Sequence, residues 1–274
     1  MQNSGSGLIQ AVIGVVERAG TLIRQQRIEG IVPEEKPHGA GPVTSADRAA
    51  DEFLHRELLR LAPGGWLSEE RVDDQRRLRE SRIWIVDPLD GTIEFVQGLP
   101  EYAISVALVE NGLPILAVIH NPATDDCFWA ERGAGAFRNC RAIRVQESTR
   151  LLASRTEFTR GEFAPLTAAW DIRPVGSTAY KMALVAAGDA AATFSRGPKW
   201  EWDVCAGALL VEEAGGVATQ VFDGSLRFNA PDPKVQGILA AAPGAWERIR
   251  NQIQNLGPVR SDMAHASNRF TVPS

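Results

Sequence analysis

Leu8, Ile9, Val12, Val15, Val16, Ala19, Leu22 and Ile23 recur with the spacing of one helix face, so residues 8–27 are predicted to form an amphipathic helix. The stretch "PEEKPHGAGP" then breaks the pattern and reads as a loop. A second helix is predicted to start near Ser45 and run to Leu61, ended by "PGG". Beyond it the period shortens. Residues 83–86, 102–109, 115–120, 127–130 and 143–145 read as strands, and the turns "ENGLP" and "NPATDD" suit an antiparallel meander. From about residue 150, strands at 151–154, 172–175, 190–194, 217–219 and 237–241 alternate with helices that run to Trp170, over 178–187 and over 203–214. That alternation predicts α/β packing. The fold class is therefore α+β, with an antiparallel-sheet half over residues 8–147 and an α/β half over 148–256 that closes a cleft. Residues 1–7 and 257–274 are expected to be flexible tails.

Composition narrows the function. With 274 residues there is ample chain for a core, and 44% hydrophobic with 23% charged residues is ordinary for a soluble protein. A net charge of −5 offers no basic footprint for a nucleic acid polymer. Apolar runs such as 115–119 fall far short of the ~20 residues that span a bilayer, and "MQNSGSG" lacks the regions of a secretory signal. Cys127, Cys140 and Cys205 form no CxxC pair and read as reduced core thiols of a cytoplasmic protein. The four His residues show no metal-ligand spacing, so any metal must be held by oxygen.

The carboxylates carry the candidate chemistry. In the helix from Ser45, residues Ala50, Leu54, Leu58 and Leu61 fall within about 60° of Asp47 on a helical wheel, so Asp47 projects from the start of the buried stripe. A buried carboxylate without compensation costs several kcal/mol and needs a partner. Asp203 repeats the pattern in "WEWDVCAGALLVEEAGG", with Ala206, Gly207, Leu210 and Ala214 on its side and the small pair allowing close packing. Read alone, Asp203 is a helix N-cap, and Glu69-Glu70 in "GWLSEE" is a solvated turn. "DPLDGTIEF" (87–95) is different. Asp87 closes a strand, Pro88 fixes the turn, Gly91 permits close backbone approach, and Thr92 opens a short helix whose free N–H groups suit an anion. Acids beside an anion-binding helix start make sense if a divalent cation bridges them to a phosphate. Hard oxygen donors select Mg2+. Two or three such ions would neutralise the cluster, activate water and stabilise a leaving oxygen.

Taken together and in order, "VTSAD", "LSEE", "WIVDPLDGTIEF", "GSTAYK" and "WDVCAGALLVEEAGG" resemble the inositol monophosphatase superfamily over roughly residues 8–250. The resemblance implies a layered αβαβα sandwich, Mg2+-dependent and lithium-sensitive phosphatase activity, a small phosphorylated substrate and a homodimer. Carried over residue by residue, it implies that Glu69, Asp87 and the Leu89 carbonyl hold one metal, and Asp87, Asp90 and Asp203 a second. A third, weaker ion would lean on Glu69 and water near Asp47. Thr92 and Asp47 would orient and deprotonate the attacking water with help from Glu69, and Gly91 and Thr92 amides would receive the phosphate.

For substrate, Glu94 in "DGTIEF" and Lys181 match 3'(2'),5'-bisphosphate nucleotidases better than simple inositol monophosphatases. Where inositol-selective members carry a Glu for ring hydroxyls, this chain has Arg196. Ser177 and Lys181, with Asp90 and Asp203, complete the expected substrate contacts, and Lys181 with Arg196 would take a second phosphate. The plain readings are a snorkelling helix lysine and a surface arginine. The favoured substrate is thus 3'-phosphoadenosine 5'-phosphate, with inositol 1-phosphate or a sugar bisphosphate as alternatives and a Mg2+/phosphate-binding module without turnover as the non-enzymatic one. Aspartyl-phosphate phosphatases place one residue between their two Asp, whereas Pro88 and Leu89 both intervene here. An EF-hand fails because the acids do not alternate at positions 1, 3 and 5.

Overall fold

The computed structural model describes residues 6–35, 42–221 and 224–253. The tail expected at 257–274 and residues 1–5 of the tail expected at 1–7 lie outside the described residues. Ser6 and Gly7 belong instead to the first helix, where Ser6 Oγ accepts the Ile9 N–H at the start of α1 (Gly7–Glu29). A two-stranded ribbon, β1 (Glu34–Glu35) with β2 (Pro42–Val43), leads to α2 (Ser45–Leu61), which spans the residues its apolar stripe predicts.

The large sheet runs in the order β3 (Gly65–Ser68), β4 (Arg82–Asp90), β5 (Ala103–Glu110), β6 (Leu113–Asn121), β7 (Asp126–Glu131), β8 (Gly135–Arg138) and β9 (Arg141–Ile143). All neighbours are antiparallel except β3 and β4, which are parallel. Between β4 and β5 comes α3 (Thr92–Gln97). The run Ile83-Trp84-Ile85-Val86 is uninterrupted because both sheet faces are covered. Trp84 and Val86 pack with α1 and α2, while Ile83 and Ile85 pack with the helices of the second half.

The second half builds a mixed five-stranded sheet from β10 (Arg150–Ala153), β11 (Asp171–Pro174), β12 (Ala192–Ser195), β14 (Val217–Thr219) and β16 (Ile238–Ala241), ordered β11-β10-β12-β16-β14. A small ribbon, β13 (Lys199–Trp200) with β15 (Lys234–Val235), lies outside it. Helices α5 (Thr178–Ala186) and α6 (Glu201–Glu213) fill the space between the two sheets, and α7 (Pro243–Ile253) covers the far face. The layers are therefore αβαβα. Among the described residues no helix is long and apolar enough to cross a membrane.

Four local readings change. The helix expected to run to Trp170 is only α4 (Arg155–Thr159), then turns. Gly161 takes a φ of +75° and Pro165 opens a 3-10 turn, so helical bonding cannot continue. The strand expected at 143–145 ends at Ile143. Helix α7 carries Ala245, Ile249 and Ile253 one turn apart and buried, a spacing visible in the chain but not singled out there. Cys140 is exposed in the β8–β9 turn, whereas Cys127 and Cys205 are buried, and all three are free.

The small residues of α6 act as expected. A Cβ at Gly207 would lie 2.6 Å from Met182 Cβ on α5, an atom that cannot swing away without moving that helix. Gly207→Val is expected to destabilise by about 1–3 kcal/mol through overpacking, while better helix propensity offsets only a few tenths of a kcal/mol. Thermal melts check this; an unchanged Tm would show that the helices are not held so close.

Candidate metal and phosphate site

Strand β4 does not stop at Asp87. It continues to Asp90, and its register against β5 slips on the way, Asp87 facing Ser105 and Asp90 facing Ala103. Three steps on β4 are matched by two on β5, so one extra residue is inserted at Pro88-Leu89, where proline has no N–H to give the ladder. In a regular strand residues three apart point to opposite faces. The bulge restores the parity and lets both carboxylates reach one side. Asp87 Oδ1 accepts the Leu89 N–H at 3.0 Å and stiffens the bulge.

Asp203 meets them from α6. This helix begins two residues earlier than its apolar pattern suggests, so Asp203 is in the first turn rather than at the N-cap, its Oδ2 still accepting the Trp200 N–H at 3.0 Å. Asp87, Asp90 and Asp203 each bring an oxygen within 4.8 Å of the others. Burial, and then the charges of Glu69, Asp90 and Asp203, hold the Asp87 carboxyl well above its ordinary 3.8. Burial and then Asp90 push Asp203 up to about 8, although Lys199 pulls the other way. So much negative charge with only oxygen donors fits a hard divalent cation. Asp87, Asp90, Asp203 and Glu69 are the residues that would hold it.

Asp47 is 1% exposed. Its Oδ2 accepts from Thr44 N at 2.8 Å and Thr44 Oγ1 at 2.6 Å, capping its own helix. Thr92 Oγ1 lies 3.1 Å from both Asp47 Oδ1 and the Leu89 carbonyl oxygen, and its single proton serves one of them at a time. A cation on the Leu89 carbonyl would direct that proton to Asp47. Gly91, at φ +94°, caps α3. A Cβ there would strike the Glu101 carbonyl at 2.8 Å. Across the cleft Asp90 Oδ2 accepts Ser177 Oγ and the Ala179 N–H, both at 2.7 Å. Ser177 pays for this position with φ +57°, a strain of about 1–3 kcal/mol.

Asp87, Leu89, Asp90, Gly91, Thr92, Ser177 and Asp203 line one cavity of about 350 Å3, together with Glu69, Glu94, Ser154, Thr156, Lys181, Lys199 and Trp200, whereas Asp47 is not among the lining residues and meets the cavity through Thr92. Lys181 is not a snorkelling surface residue. It is 4% exposed, donates from Nζ to the Ser177 carbonyl at 2.7 Å, and burial depresses it to about 8 against the pull of Asp90. Arg196 is not among the lining residues. Its guanidinium turns to Glu162, 3.7 Å away, a buried acid that offers it a partner. Lys199 stands in the cavity instead, 3.5 Å from Glu157. Burial opposes its charge, but Glu157, Asp203 and Asp90 outweigh that and hold it above the ordinary lysine value. The sequence reading passed over Lys199 because a lysine in "RGPKWEW" carries no motif. Its only signal was a position four residues before Asp203. Glu94 also faces the cavity, with its carboxyl pushed up by burial.

The inositol monophosphatase family model matches residues 6–257. An inositol-1-monophosphatase of Mesorhizobium japonicum is 34% identical over 236 residues, covering 80% of this chain and 87% of that protein. A fructose-1,6-bisphosphatase/inositol-1-monophosphatase of Thermotoga maritima is 37% identical over 209 residues, covering 72% and 78%. Among solved structures, the extragenic suppressor protein suhB from Bartonella henselae superposes with a TM-score of 0.78 at 30% identity, covering 91% of this chain and 99% of that one.

Two outcomes follow from the charge balance. Asp87→Asn should cut Mg2+-dependent phosphate release by several orders of magnitude yet raise the Tm of the metal-free protein, because it removes repulsion; near wild-type turnover at saturating Mg2+ would contradict the ligand assignment. The second concerns pH. Asp203 binds its proton more tightly folded than unfolded, so its contribution to stability is present at low pH and is lost as pH rises from 3.8 to about 8. Lys181, depressed to about 8, acts only above that window. Mg2+ competes with those protons, so the Tm gained on adding Mg2+ should grow from pH 5 to pH 8. A gain independent of pH would show that Mg2+ binds elsewhere.

Proposed function

The chain belongs to the inositol monophosphatase family, whose members are Mg2+-dependent phosphoric monoester hydrolases acting on small phosphorylated substrates, and on that premise we propose that it hydrolyses a phosphate ester carrying a second phosphate, 3'-phosphoadenosine 5'-phosphate being the first candidate. The observation that carries the reading is the pair of ammonium groups, buried Lys181 and half-buried Lys199, in the same cavity as the acid cluster. With a monophosphate the two cations would keep only the partners they already have, the Ser177 carbonyl for Lys181 and Glu157 for Lys199. A second phosphate would find two charge-assisted donors.

Glu69, Asp87, Asp90 and Asp203 would hold Mg2+, which when bound would supply positive charge for the phosphate and lower the pKa of water. The chain's own groups do the rest. Thr92 Oγ1 donates to Asp47 Oδ1, so that the lone pairs of Thr92 Oγ1 face the cavity; Thr92 takes a proton from the attacking water as it passes its own to the Asp47 carboxylate. The Gly91 and Thr92 amides receive phosphate oxygens. Water oxygen joins phosphorus, the ester P–O bond breaks, and the alkoxide leaves as the alcohol by taking a proton from solvent water in the cleft. Such a water-activating pair is not needed for mere binding, which argues against a module without turnover. Lithium inhibition belongs to the same reading.

One observation favours a sugar bisphosphate as the second reading. Trp200, the aromatic residue lining the cavity, already stacks on Trp202 with centroids 4.7 Å apart and carries the Lys234 ammonium 4.4 Å from its ring centre. Those two contacts compete with a nucleobase for its ring. The name of the Thermotoga relative points the same way.

Replacing Lys181 and Lys199 together by Met keeps bulk and removes charge. On either bisphosphate, kcat/KM should fall by roughly 10- to 100-fold per lost charge-assisted bond, while inositol 1-phosphate should lose little. Equal losses on 3'-phosphoadenosine 5'-phosphate, fructose 1,6-bisphosphate and inositol 1-phosphate would leave inositol monophosphatase activity as the better account.

A further inference from the structure

Glu69 has the least secure backbone of the four acids. It follows β3, which is the edge strand of the large sheet and pairs only with β4. Its own N–H reaches the Val86 carbonyl at a long 3.4 Å, and the chain then turns away. A ligand carried on such a turn needs support from beneath it, because a site is only as rigid as the groups that hold its donors.

That support comes from α2. Asp51, one helical turn after Asp47, is 4% exposed. Its Oδ1 accepts Ser68 Oγ at 2.6 Å and its Oδ2 accepts Arg71 Nε at 2.5 Å. Residues 68 and 71 bracket Glu69 and Glu70, so both ends of the turn finish on one buried carboxylate. Ser68 Oγ also accepts the Glu70 N–H at 3.4 Å. A single helix face thus places Asp47 against Thr92 and Asp51 against the turn carrying Glu69. A purely structural role would call for any buried pair that ties α2 to β3. The two bonds instead fall on the residues either side of the ligand.

We propose that Asp51 is a positioning residue for the metal centre, clamping the Glu69 turn so that the carboxylates take up a divalent cation tightly. The proposal rests on the reading of Glu69 as a ligand. Asp51→Asn has one acceptor oxygen, so it can no longer accept from Ser68 and Arg71 at once, and the charge that holds the Arg71 guanidinium is lost.

The test is Mn2+ binding to the full chain, read from the electron paramagnetic resonance signal of free Mn2+, beside thermal melts. Asp51→Asn should raise the Mn2+ Kd by about 10- to 100-fold, the usual cost of losing a group that orients metal ligands. Arg71→Gln should move it in the same direction by less. Its side chain is 36% exposed, so it decides the matter if Asp51→Asn does not fold. Ile249→Ala, in the core under α7, should lower Tm and leave the Kd unchanged. Wild-type affinity in Asp51→Asn, or an equal loss of affinity in Ile249→Ala, would overturn the clamp. If the wild type takes up no Mn2+, or Asp87→Asn binds it normally, the metal-site reading falls and the clamp with it.

Discussion

Repulsion among Asp87, Asp90, Asp203 and Glu69, the first buried and the other three half-buried, is the term that the surrounding structure has to meet. Two unit charges about 4 Å apart repel by roughly 4 kcal/mol at an effective dielectric of about 20. A few such pairs rival the whole net stability of a domain, about 5–15 kcal/mol. The chain limits this cost by keeping protons on Asp87 and Asp203 above the ordinary carboxylate range and by bringing Lys199 within reach of Asp203. A divalent cation removes it.

The layers exist, in effect, to bring the ends of four elements to one cleft. The bulged end of β4 gives Asp87 and Asp90, the turn after β3 gives Glu69, and the first turn of α6 gives Asp203. The start of α5 braces Asp90 through Ser177 and Ala179. Because α5 and α6 lie between the two sheets, the acid wall and the lysine wall are set by one packing arrangement, tightened where Gly207 meets Met182.

Helix α2 was legible with both of its ends, because its apolar stripe and the following "PGG" are both local signals. The acid cluster was legible because "DPLDGT" makes no sense as a simple turn. The bulge that makes it work was not, since it depends on which residues of β5 lie opposite. Strand β3 escaped notice for a similar reason: "GWLS" is short and gains its pairing from β4 alone. Arg196 and Lys199 show the limit most clearly. They are three residues apart, Arg196 after β12 and Lys199 at the start of β13, and the positions of Glu162 and Glu157 decide which cation turns away and which faces the cavity.

The central claim is that this acid cluster is a divalent-metal site. It is tested most directly by an anomalous difference map from crystals soaked in Mn2+. The account predicts a strong peak between Asp87, Asp90 and Asp203, with a second peak shared by Asp87 and Glu69. A map with no peak in the cleft, or with Mn2+ only on surface acids elsewhere, would contradict it.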